Sequence, residues 1–229
     1  MGDVVTVQDV SKTYRLGKLN VTALAGVSLT VAAGEFLAVA GPSGSGKTTL
    51  LNLIGCLDTP SAGEIAIDGE PVTRLSPGRR ADLRARKLGF VFQTFNLIPV
   101  LTAWENVEYP LLIHRRGGDV AARVKRALEQ VGLAERARHR PAELSGGQQQ
   151  RVAIARALVG EPALVLADEP TANLDSRTGH EIVELMRSLN RERGTTFVFS
   201  THDPRIMKAA DRVLTMSDGR LHPAQEIAP

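Results

Sequence analysis

The chain has 229 residues, of which 43% are hydrophobic, 23% charged and 4% aromatic, the make-up of a folded domain rather than a disordered, collagen-like or disulfide-stapled chain. Its 28 basic and 25 acidic side chains leave a formal net charge of +3, too even a balance to argue for nucleic acid as a partner through bulk electrostatics. No apolar run reaches the roughly 18 residues that a membrane-spanning helix needs.

The first residues lack the charged-then-apolar order of a secretory signal. Met1-Gly2-Asp3-Val4-Val5-Thr6 fits the loose N-myristoylation pattern, yet the same residues read as an opening strand. Strand-like alternation runs from Val4 to Val10 and again from Val27 to Val31, with a polar turn at Gly17 to Asn20, which predicts an antiparallel hairpin layer. After the turn Ala33-Gly34-Glu35, the short apolar run Phe36 to Ala40 has the character of a strand buried on both faces. A glycine-rich loop follows directly, and a helix starts at Lys47 and runs through Thr49 to Ile54. The one cysteine, Cys56, excludes an intrachain disulfide and a cysteine zinc cluster, points to a reducing compartment, and reads as a core residue.

Further strands are predicted at Glu64 to Ile67, Gly89 to Phe92, Leu164 to Ala167, Thr195 to Phe199 and Arg212 to Met216, with helical stretches between them in the second half. That pattern is an α/β core. The basic run Arg79, Arg80, Arg84, Arg86 and Lys87 reads as a solvated helix face, with contact to lipid headgroups or an acidic partner as the alternative. Between Phe95 and Gly147 the strand signals vanish. Thr102-Ala103-Trp104-Glu105 is a capping box, and Val120 to Gln130 has helical periodicity closed by Gly132. These signals predict a helical subdomain over about residues 95–147, inserted into a single domain that spans residues 1–229. The tail from His222 to Pro229 reads as loose.

Gly41-Pro42-Ser43-Gly44-Ser45-Gly46-Lys47-Thr48-Thr49 follows G-x-x-x-x-G-K-[ST], between a buried strand and a helix. Glycines at those turns let consecutive backbone N–H groups wrap an anionic phosphate chain without a side chain in the way. The helix starting at Lys47 adds its dipole, Lys47 places an ammonium between β- and γ-phosphates, and the Thr48 hydroxyl can ligate Mg²⁺. The strand Ala163 to Ala167 ends in Asp168-Glu169-Pro170, which puts two carboxylates at the carboxyl end of a buried strand. One can hold Mg²⁺ through water, while its neighbour, pointing elsewhere, can orient and polarise an attacking water. A third feature is Ser145-Gly146-Gly147 before an apparent helix from Gln148 to Val159, where backbone N–H groups, a small hydroxyl and a helix N-terminus converge again on an anion. A chain with two such sites must fold them together or share them with a neighbour.

Leu144-Ser145-Gly146-Gly147-Gln148, followed by Gln149-Gln150-Arg151, is the pentapeptide that marks the ATP-binding cassette (ABC) ATPases, and with the phosphate loop it makes the chain resemble that family over essentially its whole length. The resemblance implies a P-loop NTPase fold with an antiparallel β subdomain and an inserted helical subdomain. It implies that Tyr14 stacks on adenine, that Gln93 and Asp168 join Thr48 around Mg²⁺, and that Glu169, His202 and Gln93 act in hydrolysis. Asn173-Leu174-Asp175 matches the family's D-loop. No core motif departs from the family pattern. The resemblance also chooses sharing: two copies pack head to tail as a homodimer, each ATP lying between Lys47 of one and Ser145 to Gln148 of the other.

The stretch between Thr48 and Leu144 leaves no room for the long coiled coil of chromosome-maintenance members, and neither a second cassette nor a regulatory domain after the last strand is present in the sequence. The segment from Phe92 to Val107 and the stretch from Leu53 to Gly63 are similar to lipoprotein-releasing and macrolide-exporting cassettes. That similarity implies a peripheral subunit on the cytoplasmic face of the cell membrane, with an integral membrane partner docking near Gln93 and Trp104. Two other readings are weighed. A cell-division-type cassette that signals through a membrane partner without transport keeps every motif, whereas a small-molecule kinase gives no reason for Leu144 to Gln148.

Overall fold

A computed structural model of the chain describes residues 2–17, 19–113 and 118–222. Met1, Lys18 of the expected first turn and all but the first residue of the expected loose tail lie outside those residues.

β1 (Asp3–Leu16) and β2 (Leu19–Ala32) form the expected hairpin, but both strands run further than the alternating valines indicated. The alternation fails at Asp9 because the chain bulges there: Asp9 has φ 48°, and the pairing with β2 shifts between Val7 and Val10. β3 (Phe36–Ala40) leads through the glycine loop into α1 (Lys47–Ile54). β4 (Ala62–Ile67) and the short β5 (Glu70–Pro71) complete a four-stranded antiparallel sheet in the order β2-β1-β4-β5. Gly63 enables the β1–β4 contact at the bulge, since a Cβ there would stand 2.4 Å from the Asp9 carbonyl oxygen. Burial pushes the Cys56 thiol up to about 11, so it stays a protonated core residue.

α2 (Pro77–Lys87) carries the basic run, which is partly absorbed by its own surface. Arg84 donates to the Cys56 carbonyl at 2.8 Å, Lys87 pairs with Asp68, and Arg86 lies 3.7 Å from Glu70. β6 (Leu88–Val91) then enters the second sheet. The strand-free stretch holds α3 (Ala103–Ile113), capped by the reciprocal Thr102–Glu105 pair, and α4 (Val120–Gln130), capped by Asp119, followed by two short 3-10 turns. α5 (Gly146–Leu158), β7 (Leu164–Asp168), α6 (Ser176–Arg193), β8 (Thr196–Thr201), α7 (Pro204–Ala209), β9 (Arg212–Ser217) and β10 (Arg220–His222) finish the chain.

The second sheet has the order β10-β9-β3-β8-β7-β6, parallel except for β10. The central strands β3, β7 and β8 are buried almost throughout because both of their faces are covered. Phe36, Ala38, Val165, Ala167, Phe197 and Phe199 face a core shared with α3, α4, α5 and α6. Leu37, Val39, Leu164, Leu166 and Val198 face the opposite core, shared with α1 and the antiparallel sheet. Each fully buried Phe or Leu contributes about 1.5–3 kcal/mol against the exposed state, so the period-two split over two cores is what fixes the register. Within that register Asp168 stands opposite Ser200, and Ala40 opposite Thr201. The ends of β3, β7 and β8 therefore open at one place.

Candidate nucleotide site

The loop between β3 and α1 turns on three glycines of positive φ: Gly41 at 155°, Gly44 at 78° and Gly46 at 105°. Their roles differ. A Cβ on Gly41 would stand 2.2 Å from the Met216 carbonyl oxygen, and one on Gly46 would stand 2.6 Å from that of Ala23, whereas a Cβ on Gly44 meets nothing within 4 Å. The outer two glycines are thus demanded by backbone behind the loop, in β9 and β2, as well as by the turn itself. Gly219 N–H closes the back of the loop by donating to the Ser45 carbonyl at 3.0 Å.

Gly46 precedes α1 in a left-handed conformation and no side chain caps the helix, so its first N–H groups remain suited to an anion. The Ser45 hydroxyl is buried without a partner in the same loop. Lys47, only 7% exposed, donates from Nζ to the carbonyls of Gly41 at 2.7 Å and Pro42 at 2.9 Å. An ammonium has three donors, so this grip fixes it over the loop with one still to give.

At the sheet end, Thr48 Oγ1 donates to both Asp168 carboxylate oxygens at 3.2 Å, and Ser200 Oγ donates to Asp168 Oδ1 at 2.7 Å. Glu169 leaves the strand with φ 45°, its N–H held on the Ser200 carbonyl at 2.9 Å, and its carboxylate has a different partner from that of Asp168. Glu169 Oε1 lies 2.9 Å from His202 Nδ1, the histidine side chain being 72% exposed and the carboxylate largely covered. Gln93 follows β6, and its carbonyl accepts from Asn173 Nδ2 at 3.0 Å.

These elements enclose a cleft of about 460 Å³ lined by Ser43 to Thr49, Gln93, Asp168, Glu169 and His202, together with Val21 to Ala23 of β2. Most of the residues singled out in the sequence meet here. The donors around Thr48 are oxygens of a hydroxyl, a carboxylate and the Gln93 amide; they suit a hard cation that keeps water and phosphate ligands. Among the described residues no three His, Cys, Asp or Glu side chains gather into a metal cage. Tyr14 is not in the wall; it stands beside Thr49 and bonds Asp58 through its hydroxyl at 2.9 Å. Ser145, Gly146, Gly147 and Gln148 are also outside it. They begin α5 as a capping box, Ser145 Oγ accepting from Gln148 N–H at 3.3 Å and Gln148 Oε1 accepting from Ser145 N–H at 2.9 Å.

Residues 24–172 match the family model described as ABC transporter. The chain is an ATP-binding cassette ATPase. A lipoprotein-releasing system ATP-binding protein, LolD, of Bordetella pertussis is 50% identical to this cassette over 223 residues, covering 97% of it and 96% of the relative. A macrolide export ATP-binding/permease protein, MacB, of Syntrophobacter fumaroxidans is 49% identical over 226 residues, but the cassette spans only 31% of that protein. Among solved structures, a dimeric post-hydrolysis state of the cassette MJ0796 bound to ADP and Pi superposes with a TM-score of 0.89 at 45% identity, covering 98% of this chain and 99% of that one. The MJ0796 protein belongs to Methanocaldococcus jannaschii. The cassette therefore binds and hydrolyses ATP.

Several residues around the cleft escaped the sequence reading. Ser200 orients Asp168, and only the β7–β8 register reveals it. Asp203 accepts from Thr171 Oγ1 at 2.5 Å and from the Arg205 guanidinium, tying the turn after Glu169 to the one after His202. Arg156, near the end of α5, donates to the carbonyls of Phe95 and Asn96, two residues held at φ 59° and 49° just after Gln93. Nothing in a single sequence pairs an arginine with carbonyls some sixty positions away.

Proposed function

We propose that this cassette powers a membrane transporter or extrusion complex of the lipoprotein-release or macrolide-export type, through ATP-driven dimerisation. The observation that carries the reading is the separation of the two anion sites: the loop of Ser43 to Thr49 lines the cleft, and Ser145 to Gln148 do not. Two chains packed head to tail bring the α5 N-terminus of one over the cleft of the other. The dimeric form of the similar MJ0796 cassette supports this arrangement.

In that reading the whole chain is one nucleotide-binding domain with residues 95–147 as its helical subdomain, and no nucleic acid takes part. Tyr14 stacks on adenine, the loop N–H groups and Lys47 hold the β- and γ-phosphates, and Thr48, Gln93 and Asp168 are the side chains that would hold Mg²⁺. The bound cation supplies charge neutralisation on the phosphate oxygens. Glu169 accepts the proton of the attacking water, His202 holds the carboxylate in place and reaches toward the γ-phosphate, and Ser145 to Gln148 of the second chain complete the electrostatic cradle. An integral partner anchors the cassette at the cytoplasmic face in this reading; among the described residues no helix is long and apolar enough to cross a membrane. A groove of about 380 Å³ between Leu57, Phe90, Phe92, Pro110 and Arg156, next in the chain to Gln93, is the docking place this reading favours. Trp104, partly buried, packs against the core with one side.

The test is Glu169→Gln. Loss of a general base costs about 10²–10⁴-fold in rate, so the variant is expected to bind ATP, turn over at least about a hundredfold more slowly and elute as a dimer only when ATP is present. Near-normal turnover removes Glu169 as the base, and a variant that stays monomeric at saturating ATP removes the shared site.

A further inference from the structure

Three side chains outside the cleft wall, Lys12, Tyr14 and Asp58, form a network around one aromatic ring. Asp58, in the turn after α1, accepts from the Tyr14 hydroxyl on Oδ2 at 2.9 Å and from Lys12 Nζ on Oδ1 at 2.7 Å. Oδ1 also accepts from the Thr59 N–H at 2.7 Å, and Lys12 Nζ donates in addition to the Thr59 carbonyl at 2.7 Å. Lys12 is buried, and its ammonium stands 4.8 Å from the centroid of the Tyr14 ring.

A tyrosine that serves only as packing needs none of this. Burying an ammonium against a carboxylate costs desolvation that the pair must recover through geometry, and here the geometry is spent on one aromatic ring. Burial raises the Asp58 carboxyl, but the bonds from Lys12, Thr59 and Tyr14 outweigh it and hold the group below its ordinary value. Asp58 is therefore an acceptor only, and the Tyr14 O–H must point at it. The ring plane is then set by two anchors, β1 at one end and Asp58 at the other, while Lys12 occupies a face through a cation–π contact.

We infer that Asp58 and Lys12 are positioning residues that fix the Tyr14 ring as the platform for the nucleobase, Lys12 closing one face so that the base stacks on the other. This rests on the reading of Tyr14 as the stacking residue. A ring held in advance loses no rotamer freedom when the purine arrives, so the network raises affinity through the base alone and leaves phosphate binding untouched.

Isothermal titration of the full chain with ADP and, separately, with inorganic pyrophosphate separates the two contributions, since pyrophosphate has no base and neither probe is hydrolysed. Tyr14→Ala is expected to weaken ADP about tenfold, within the range of base–aromatic stacking, with pyrophosphate unchanged within about twofold. Asp58→Ala and Tyr14→Phe are each expected to weaken ADP about three- to fivefold with the same indifference of pyrophosphate, and the double variant to be no worse than either single one, because both cut the same bond. Lys12→Met is expected to follow them. If Tyr14→Ala leaves ADP unchanged, the stacking reading itself falls. If Tyr14→Ala weakens ADP while Asp58→Ala and Tyr14→Phe do not, the positioning role falls and stacking stands. Equal weakening of pyrophosphate by Asp58→Ala overturns the inference, as it shows Asp58 shaping the phosphate loop. Tyr14→Phe, which keeps the ring and its packing, decides the matter if Asp58→Ala does not fold.

Discussion

Gly89 on β6 has no turn to make, yet a Cβ there would stand 2.4 Å from the Ala157 carbonyl oxygen, since the last turn of α5 crosses the strand at that residue. The contact is with backbone and cannot be relieved by a side chain moving aside. Gly89→Ala is expected to lower stability by about 1–3 kcal/mol through overpacking, read as a drop in the thermal midpoint, with α5 and the Arg156 grip on Phe95 and Asn96 displaced together. Sequence reading placed Gly89 at the start of a strand and gave it no further meaning, because the crossing helix lies more than sixty positions away. Asp168 and Glu169 were the opposite case. Two carboxylates after an apolar strand already imply divergent directions, and the structure gives them different partners, Thr48 and Ser200 for Asp168 and His202 for Glu169.

Helix starts carry much of the acid sensitivity expected of this fold. α6 and α7 begin on Asp175 and Asp203, the first accepting two backbone N–H groups of its helix and the second one. Burial raises the Asp203 carboxyl, but bonds from Arg205 and Thr171 hold it below its ordinary value, and the bond from Arg187 does the same for Asp211. Carboxyls lowered in the folded state contribute stability that is complete above the unfolded value, about 3.9, and is lost as pH falls through it toward the folded value. The thermal midpoint is therefore expected to hold steady from neutral pH to about pH 5 and to fall below about pH 4. Asp203→Asn should lower the midpoint at neutral pH and flatten that acid limb; an unchanged limb removes Asp203 as its source. These caps were only partly legible. Thr102 and Glu105 announced α3 by spacing alone, whereas Asp203 reads as an ordinary residue after a histidine until Arg205 and Thr171 are seen on it. Strand ends were misjudged for a related reason: the β1 bulge at Asp9 breaks the alternation on which the reading depended.

Across the whole molecule, the two candidate anion sites were legible as motifs, and their separation was posed by the sequence as a choice that family resemblance decided. The cleft, which excludes Ser145 to Gln148, gives that choice a spatial form. Lys47→Ala damages the cleft and Ser145→Arg damages the α5 start, so mixing the two chains should restore one intact composite site per mixed dimer. ATPase activity of the mixture is expected to exceed that of either variant alone; no recovery, with mixed dimers shown to form, argues against sharing. What no local pattern foretold is the order of the parallel sheet, in which β3 lies between β8 and β9. The nucleotide loop thus leans on Met216 and Gly219, residues translated long after it. At about 5–20 residues per second, a nascent chain waits on the order of ten to thirty seconds between making its lysine and making the wall behind it. A ribosome-bound intermediate that ends before Met216 and Gly219 has the loop without the backbone against which Gly41 and the Ser45 carbonyl rest.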